Sequence, residues 1–138
     1  FDADIISLGQ KAVEEKMAEL EAKDKREAKE EELNVVLQLA WEMYIRGFTC
    51  LKVDLYRSKA DRFTMLPEEN AILPPFTALG GLGSVDAHSL EEERENGEYS
   101  SVENMKKRTG ITKTSVEALR NHGCLDGMDE SDQLSLFG

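Results

Sequence analysis

The groups best placed to do chemistry in this chain are backbone amides, those of Gly80, Gly81, Leu82, Gly83 and Ser84. Glycine enters conformations with φ > 0 at little cost, so consecutive N–H groups can turn to one side, and the start of a following helix adds donors with no intrahelical partner. Amides grouped in this way, backed by a helix dipole, accept a phosphate oxygen and read nothing of the base attached to it. The run sits within residues 72–94, ILPPFTALGGLGSVDAHSLEEER. Pro74 and Pro75 end any preceding strand, Phe76, Ala78 and Leu79 give a short apolar turn, and Ser84 is the expected N-cap. Asp86 in the first turn helps the helix dipole but competes with a phosphate for the same amides.

The stretch reads as a helix-hairpin-helix, with Gly81, Leu82, Gly83 and Ser84 as its phosphate-facing residues. Side chains for the electrostatic part lie outside it. Residues 46–62 hold five bases against two acids and residues 101–123 five against two, whereas residues 74–100 hold six acids and one base. Two basic islands therefore flank an acidic hairpin in a chain of net charge −11, a balance that argues against a general nucleic-acid binder. If a duplex is held, Lys106, Lys107, Arg108, Lys113 and Arg120 supply the phosphate contacts, helped by Arg57 and Lys59. Arg46, Lys52, Arg57, Lys59 and Arg62 equally serve to keep a small sheet soluble and to blunt its edges. Asp54, the one acid inside an apolar run, suits a structural hydrogen bond. The other Asp and Glu residues form no cluster able to hold metal ions. Cys50 and Cys124, with only His88 and His122 to help, suggest neither a zinc site nor a disulfide but reduced structural thiols.

The elements that must carry these groups follow from periodicity and punctuation. Residues 7–47 predict two helices. The first carries a narrow stripe of Leu8, Val13, Met17 and Leu20, left exposed and able to pair with a second copy. The second carries Leu33, Val36, Leu37, Ala40, Trp41, Tyr44 and Ile45, facing a core, and Gly47 stops it. FTCLKVDLYR, RFTML and AIL predict a small antiparallel sheet. After the hairpin, Gly97 closes its second helix, Ser100 and Glu103 predict a capping box for a helix over residues 101–108, and Thr112 caps another that Gly123 ends. The class is α+β, mostly helical: residues 1–73 with N-terminal helices and the sheet, 74–98 the helix-hairpin-helix, 99–127 a short helical subdomain, and 128–138 a flexible, disordered C-terminal tail. Leu134, Leu136 and Phe137 at that end have nothing before them to pack on, which asks for a binding partner.

At 138 residues the chain fits one ordinary domain, or two very small modules and a tail, and with Phe1 in place of Met it is expected to be a piece of a longer protein. No apolar run is long enough to span a bilayer and no leader-like segment opens the chain, so a soluble, cytoplasmic protein without membrane contact is expected.

Taken in order, WEMYIRGF, KVDLYRSKADRF, ILPPFTALGGLG, NGEYSSVENMKKRTGITKTSVEALRNHGCLDGM and QLSLF resemble the C-terminal end of the PolC-type catalytic subunit of bacterial DNA polymerase III, over residues 33–137. The resemblance implies the end of a fingers region, a helix-hairpin-helix on the duplex DNA backbone, and a C-terminal peptide on the β sliding clamp. Gly81, Leu82 and Gly83 match the hairpin turn; Gln133, Leu134, Ser135, Leu136 and Phe137 match the clamp-binding pentapeptide. A Gln amide satisfies a polar pocket while Leu136 and Phe137 fill an apolar one. Gly80 stands where the family usually has Pro, and Gly138 lies past its usual terminal Phe. By the same resemblance the intact protein is a DNA-directed DNA polymerase, a nucleotidyltransferase using Mg2+, whose palm lies outside this chain; this portion has no cofactor and no catalysis of its own, and its partners include the remaining palm and fingers. The alternative is a stand-alone helix-hairpin-helix adaptor for DNA or clamp.

Overall fold

The computed structural model describes residues 2–131. Among these, the elements are α1 (Ala3–Ile6), α2 (Gln10–Glu21), α3 (Ala28–Ile45), β1 (Thr49–Cys50), β2 (Thr64–Leu66), β3 (Ala71–Leu73), α4 (Ser84–Glu93), α5 (Val102–Thr109) and α6 (Lys113–His122). The mostly helical α+β class is the one the chain adopts. Its apolar side chains form two clusters, one under the N-terminal helices and one under α4, α5 and α6. Among the described residues no helix is long and apolar enough to cross a membrane.

Two helices occupy the N-terminal region, as the sequence suggests, with α1 as a short addition ahead of them. The break between α2 and α3 needs no Gly or Pro because Glu27 and Glu30 cap the start of α3 reciprocally, side chain to backbone. Gly47, at φ 90°, takes the chain out of α3. The expected exposed stripe is corrected: Val13 and Leu20 are 0% and 1% exposed, packed with Ile6, Leu37, Ala40 and Cys50, and only Leu8, in the turn before α2, faces solvent. Burying one such aliphatic side chain contributes about 1.5–3 kcal/mol, and α2 has no other apolar face to satisfy, so it folds back on α3. Trp41 Nε1 fixes the angle by donating to Glu14 at 2.9 Å, and the Tyr44 hydroxyl donates to the Ile6 carbonyl.

The sheet is mixed, with order β1-β3-β2, and not purely antiparallel. β1 runs parallel to β3, Thr49 opposite Ala71, and β2 runs antiparallel to it, Met65 opposite Ile72. The cause lies in KVDLYR, which is not a strand. Asp54 Oδ1 accepts the N–H groups of Tyr56 and Arg57 at 2.9 and 3.0 Å, and the Asp54 N–H donates to Ser58 Oγ at 2.9 Å. A turn held by its own side chains sends the chain away from β1, and the next strand returns on the far side of β3.

The second cluster gathers Phe76, Leu79, Leu82, Ala87, Leu90, Met105, Ile111, Val116 and Leu119. Two expected caps move by one residue. Gly83, not Ser84, is the N-cap of α4. Ser101, not Ser100, caps α5, its Oγ accepting from Asn104 N at 2.9 Å, while the Asn104 side chain accepts from Ser100 N at 3.2 Å. That reciprocal pair takes the place of the expected Ser100–Glu103 box. Thr112 caps α6 and Gly123, at φ 99°, ends it. The stretch expected to be loose from residue 128 is held at its start: Val102 and Glu103 donate their N–H groups to the carbonyls of Asp129 and Glu130 at 2.8 and 3.0 Å. These bonds satisfy donors at the start of α5 that the helix itself leaves open.

Candidate nucleic-acid interface

The first hairpin consists of a 3-10 turn over Phe76–Ala78, the glycine run and α4. Phe76, Leu79 and Leu82 anchor it in the core, and Gly81 takes φ 88° where the chain reverses. The first intrahelical bond of α4 runs from Ala87 N to Gly83 O at 3.0 Å, so the amides of Ser84, Val85 and Asp86 precede the ladder, and the N-cap Gly83 offers no side chain to cover them. Asp86 does not take them. Its Oδ2 accepts instead from Thr112 N at 3.0 Å, Thr112 Oγ1 at 3.1 Å and Ser115 Oγ at 2.5 Å, all at the start of α6. The expected competition between Asp86 and a phosphate is thereby removed. Burial works against its charged form, but the bonds from Ser115 and Thr112 outweigh that and hold the carboxyl below the usual range.

A second hairpin lies beside the first, in the stretch expected from sequence to be only a helical subdomain. It consists of α5, a turn at Gly110 and Ile111, and α6. Phe76 and Met105, Gly81 and Gly110, Leu82 and Ile111, Gly83 and Thr112, Ala87 and Val116, and Leu90 and Leu119 stand at one constant spacing. Within each pair the roles agree: the glycines have positive φ, Gly83 and Thr112 are N-caps, and the apolar members are buried. The signal was present in TALGGLGSVDA and KKRTGITKTSV, where hydrophobic-Gly-hydrophobic spacing recurs, but only Gly110 among three turn glycines is kept. The two turns touch, since a Cβ on Gly81 would stand 3.3 Å from Thr114 Cγ2.

The basic residues divide by what already holds them. Arg108 Nε bonds Glu93 at 3.1 Å, its two terminal nitrogens donate to the carbonyls of Glu93, Gly97 and Glu98, and the guanidinium lies 4.5 Å from the centre of the Tyr99 ring. Arg120 pairs with Glu130 and Glu117. Arg57 pairs with Glu69 at 3.1 Å on an exposed surface. Lys106, Lys107 and Lys113 are exposed, with no acid bridged to them among the described residues, and Lys113 opens α6 beside the turn. Lys59 belongs to the loop that runs along the first hairpin, its carbonyl accepting from Phe76 N at 2.9 Å. Gln133, Leu134, Ser135, Leu136 and Phe137 lie outside the described residues.

Open amides beside exposed lysines suit an anionic backbone, and the His122 imidazole and the Cys50 and Cys124 thiols are already engaged or masked. His122 has its Nε2 occupied by Val53 N at 3.0 Å, so it cannot serve as a base there. The thiols of Cys50 and Cys124 are pushed up by burial to about 11 and about 12, out of nucleophilic range. Among the described residues no group of three or more His, Cys, Asp or Glu side chains could hold a metal ion.

Relatives named DNA polymerase III PolC-type are similar to the chain over nearly all of it. The protein of Clostridium perfringens is 48% identical over 139 residues, that of Halalkalibacterium halodurans 46% over 138 and that of Caldanaerobacter subterraneus 43% over 138. These alignments cover 99–100% of this chain and 10% of each relative, so the chain spans about a tenth of the length of the curated relatives it matches. A family profile described as a helix-hairpin-helix motif matches residues 47–134, the stretch that contains both turns, and the chain belongs to that helix-hairpin-helix family.

Proposed function

We propose that this chain is the duplex-holding, C-terminal portion of a replicative DNA polymerase. The observation that carries the reading is the pair of adjoining hairpin turns, the first with open amides at Ser84, Val85 and Asp86 and the second flanked by Lys106, Lys107 and Lys113. Amides fix phosphates in place, lysines add counterion release, and neither reads a base. Lys59 and Arg57 extend the contact along the loop beside the first turn. Arg108 acts indirectly, by holding α5 to Glu93 of the first hairpin, and Arg120 by holding α6 to Glu130 in the segment that follows it.

In the intact protein the activity is template-directed DNA synthesis, with Mg2+ held by carboxylates elsewhere in the chain. The palm and fingers pack on the apolar groove lined by Val36, Leu39, Ala40, Met43 and Ile72. Gln133–Phe137 tether the polymerase to the β sliding clamp, and the protein works in the cytoplasm on the chromosome. The names of the relatives, which are similar over nearly all of this chain, favour this over a stand-alone adaptor.

Fluorescence anisotropy with two duplexes of unrelated sequence tests the DNA part. Equal affinities that fall linearly with the logarithm of salt are expected, and a strong preference for one sequence contradicts it. For the clamp, replacing Leu136 and Phe137 together by Ala removes two apolar contacts of about 1.5–3 kcal/mol each and should abolish a micromolar interaction. Unchanged clamp binding would sink that assignment.

A further inference from the structure

We propose that Asp86 is a positioning residue: its carboxylate latches the second hairpin turn to the first so that one duplex meets both, and it withdraws the Thr112 amide from the anion-binding surface. The inference rests on the DNA-backbone reading above and specifies what each turn contributes.

The geometry is one-sided. Each hairpin puts a polar residue at the third position of its second helix, Asp86 in α4 and Ser115 in α6. Asp86 reaches across and accepts three hydrogen bonds from Thr112 and Ser115, whereas Ser115 returns none to the amides of Gly83 or Ser84. At the start of α6 two amides are already taken, Thr112 N–H by Asp86 and Ser115 N–H by Thr112 Oγ1 at 3.2 Å, and those of Lys113 and Thr114 are left over. The first turn of α4 has no such cover. The first hairpin consequently supplies more of the open amides and the second adds Lys106, Lys107 and Lys113, at a separation set by the latch. Ser115 is 1% exposed, and its hydroxyl, which also lies 3.1 Å from Thr112 Oγ1, has Asp86 as the acceptor for its own proton. Gly81 closes the other side of the contact, against Thr114.

An acid beside a DNA-binding turn ordinarily repels the phosphates, so removing it should tighten binding. A latch predicts the reverse. Duplex affinity of this chain, measured across a salt series, should fall about tenfold in Asp86→Ala with a shallower salt slope, because only one turn then engages at a time. Asp86→Asn keeps an acceptor for Thr112 N and should bind within about twofold of the parent. Ser115→Ala, which changes no charge, should weaken binding in the direction of Asp86→Ala. Thermal melts of each variant separate lost positioning from lost folding. Asp86→Ala that binds as tightly as the parent, or tighter, overturns the latch. So does Asp86→Asn that loses as much as Asp86→Ala, with both melts lowered alike, since Asp86 is then structural only. No binding by the parent itself overturns the DNA reading, and the latch with it.

Discussion

His122 donates its Nδ1–H to the Asp4 carboxylate at 2.7 Å, tying the last turn of α6 to the first helix of the chain. The tautomer follows from the other nitrogen: Nε2 accepts the Val53 N–H at 3.0 Å, so the single ring proton of the neutral imidazole sits on Nδ1. The ring thus ties α6 to α1, whose Ala3 packs in the cluster under α6 and whose Ile6 packs in the cluster under α2 and α3. His122→Ala leaves the Val53 amide buried without an acceptor and should lower unfolding free energy by about 1–3 kcal/mol in urea titrations. Asp4→Ala should cost less than about 1 kcal/mol, because the Asp4 side chain is 59% exposed and water replaces it. Equal losses in the two variants would show that the Val53 bond is not the dominant one.

Arg108 has the composition of a phosphate contact and the surroundings of a structural residue. Its guanidinium satisfies the carbonyls of Glu93, Gly97 and Glu98 and stacks on Tyr99, a fork that a lysine ammonium cannot reproduce. Arg108→Lys and Arg108→Ala should both destabilise the chain, by about 1–3 kcal/mol, and both should leave the salt slope of DNA binding unchanged. A slope lowered by one contact in a fully folded Arg108→Lys would return Arg108 to the interface.

The helices, their order and the first hairpin were legible because glycine, proline and 3.6-residue periodicity act locally. Gly47, Thr112 and Gly123 punctuate the chain where their chemistry requires. Most of what escaped was decided between distant residues. Val13 and Leu20 look exposed until α3 folds over them. KVDLYR has the composition of a strand, but Asp54 and Ser58 bond the backbone around themselves first. The second hairpin hid because Thr112 replaces the glycine found at the equivalent position of the first. Asp86 was visible as an acid near a phosphate cradle, yet its role depends on Thr112 and Ser115, which only the packed hairpins bring within reach. Charge runs mark the basic islands, but only the packed structure separates the exposed Lys106 from the engaged Arg108.

Gly80 and Gly81 are neighbours with different tolerances. At Gly81, φ is 88° and an added Cβ would press on Thr114 at 3.3 Å; at Gly80 nothing lies within 4 Å. Gly81→Ala should therefore cost about 1–2 kcal/mol and weaken DNA binding, while Gly80→Ala should change neither appreciably. Paired melting and anisotropy measurements check this, and a neutral Gly81→Ala would contradict the left-handed turn.

Acid should loosen the contact between the hairpins. The folded-state titration of Asp86 lies below its ordinary value of 3.8. A depressed carboxyl contributes stability that is complete above the unfolded value and is lost as pH falls through the folded one. Glu14, Glu30 and Glu130 are lowered too, the first by a bond from Trp41, the others by Lys23 and Arg120, so the whole chain shares the trend. The difference between the parent and Asp86→Asn isolates one group: the variant should lose less stability than the parent as pH falls below about 4. Parallel curves would show that Asp86 titrates as it does in the unfolded chain.

The most direct test of the interface is the salt dependence of duplex binding by the parent chain and by Lys106→Gln, Lys107→Gln and Lys113→Gln combined. Each lysine that meets a phosphate contributes about 0.9 to the slope of log affinity against log salt. The triple variant should bind more weakly on every duplex tested, with a slope reduced by about two to three, and should melt like the parent. Unchanged affinity and slope in a folded triple variant would contradict a DNA backbone held between these two turns.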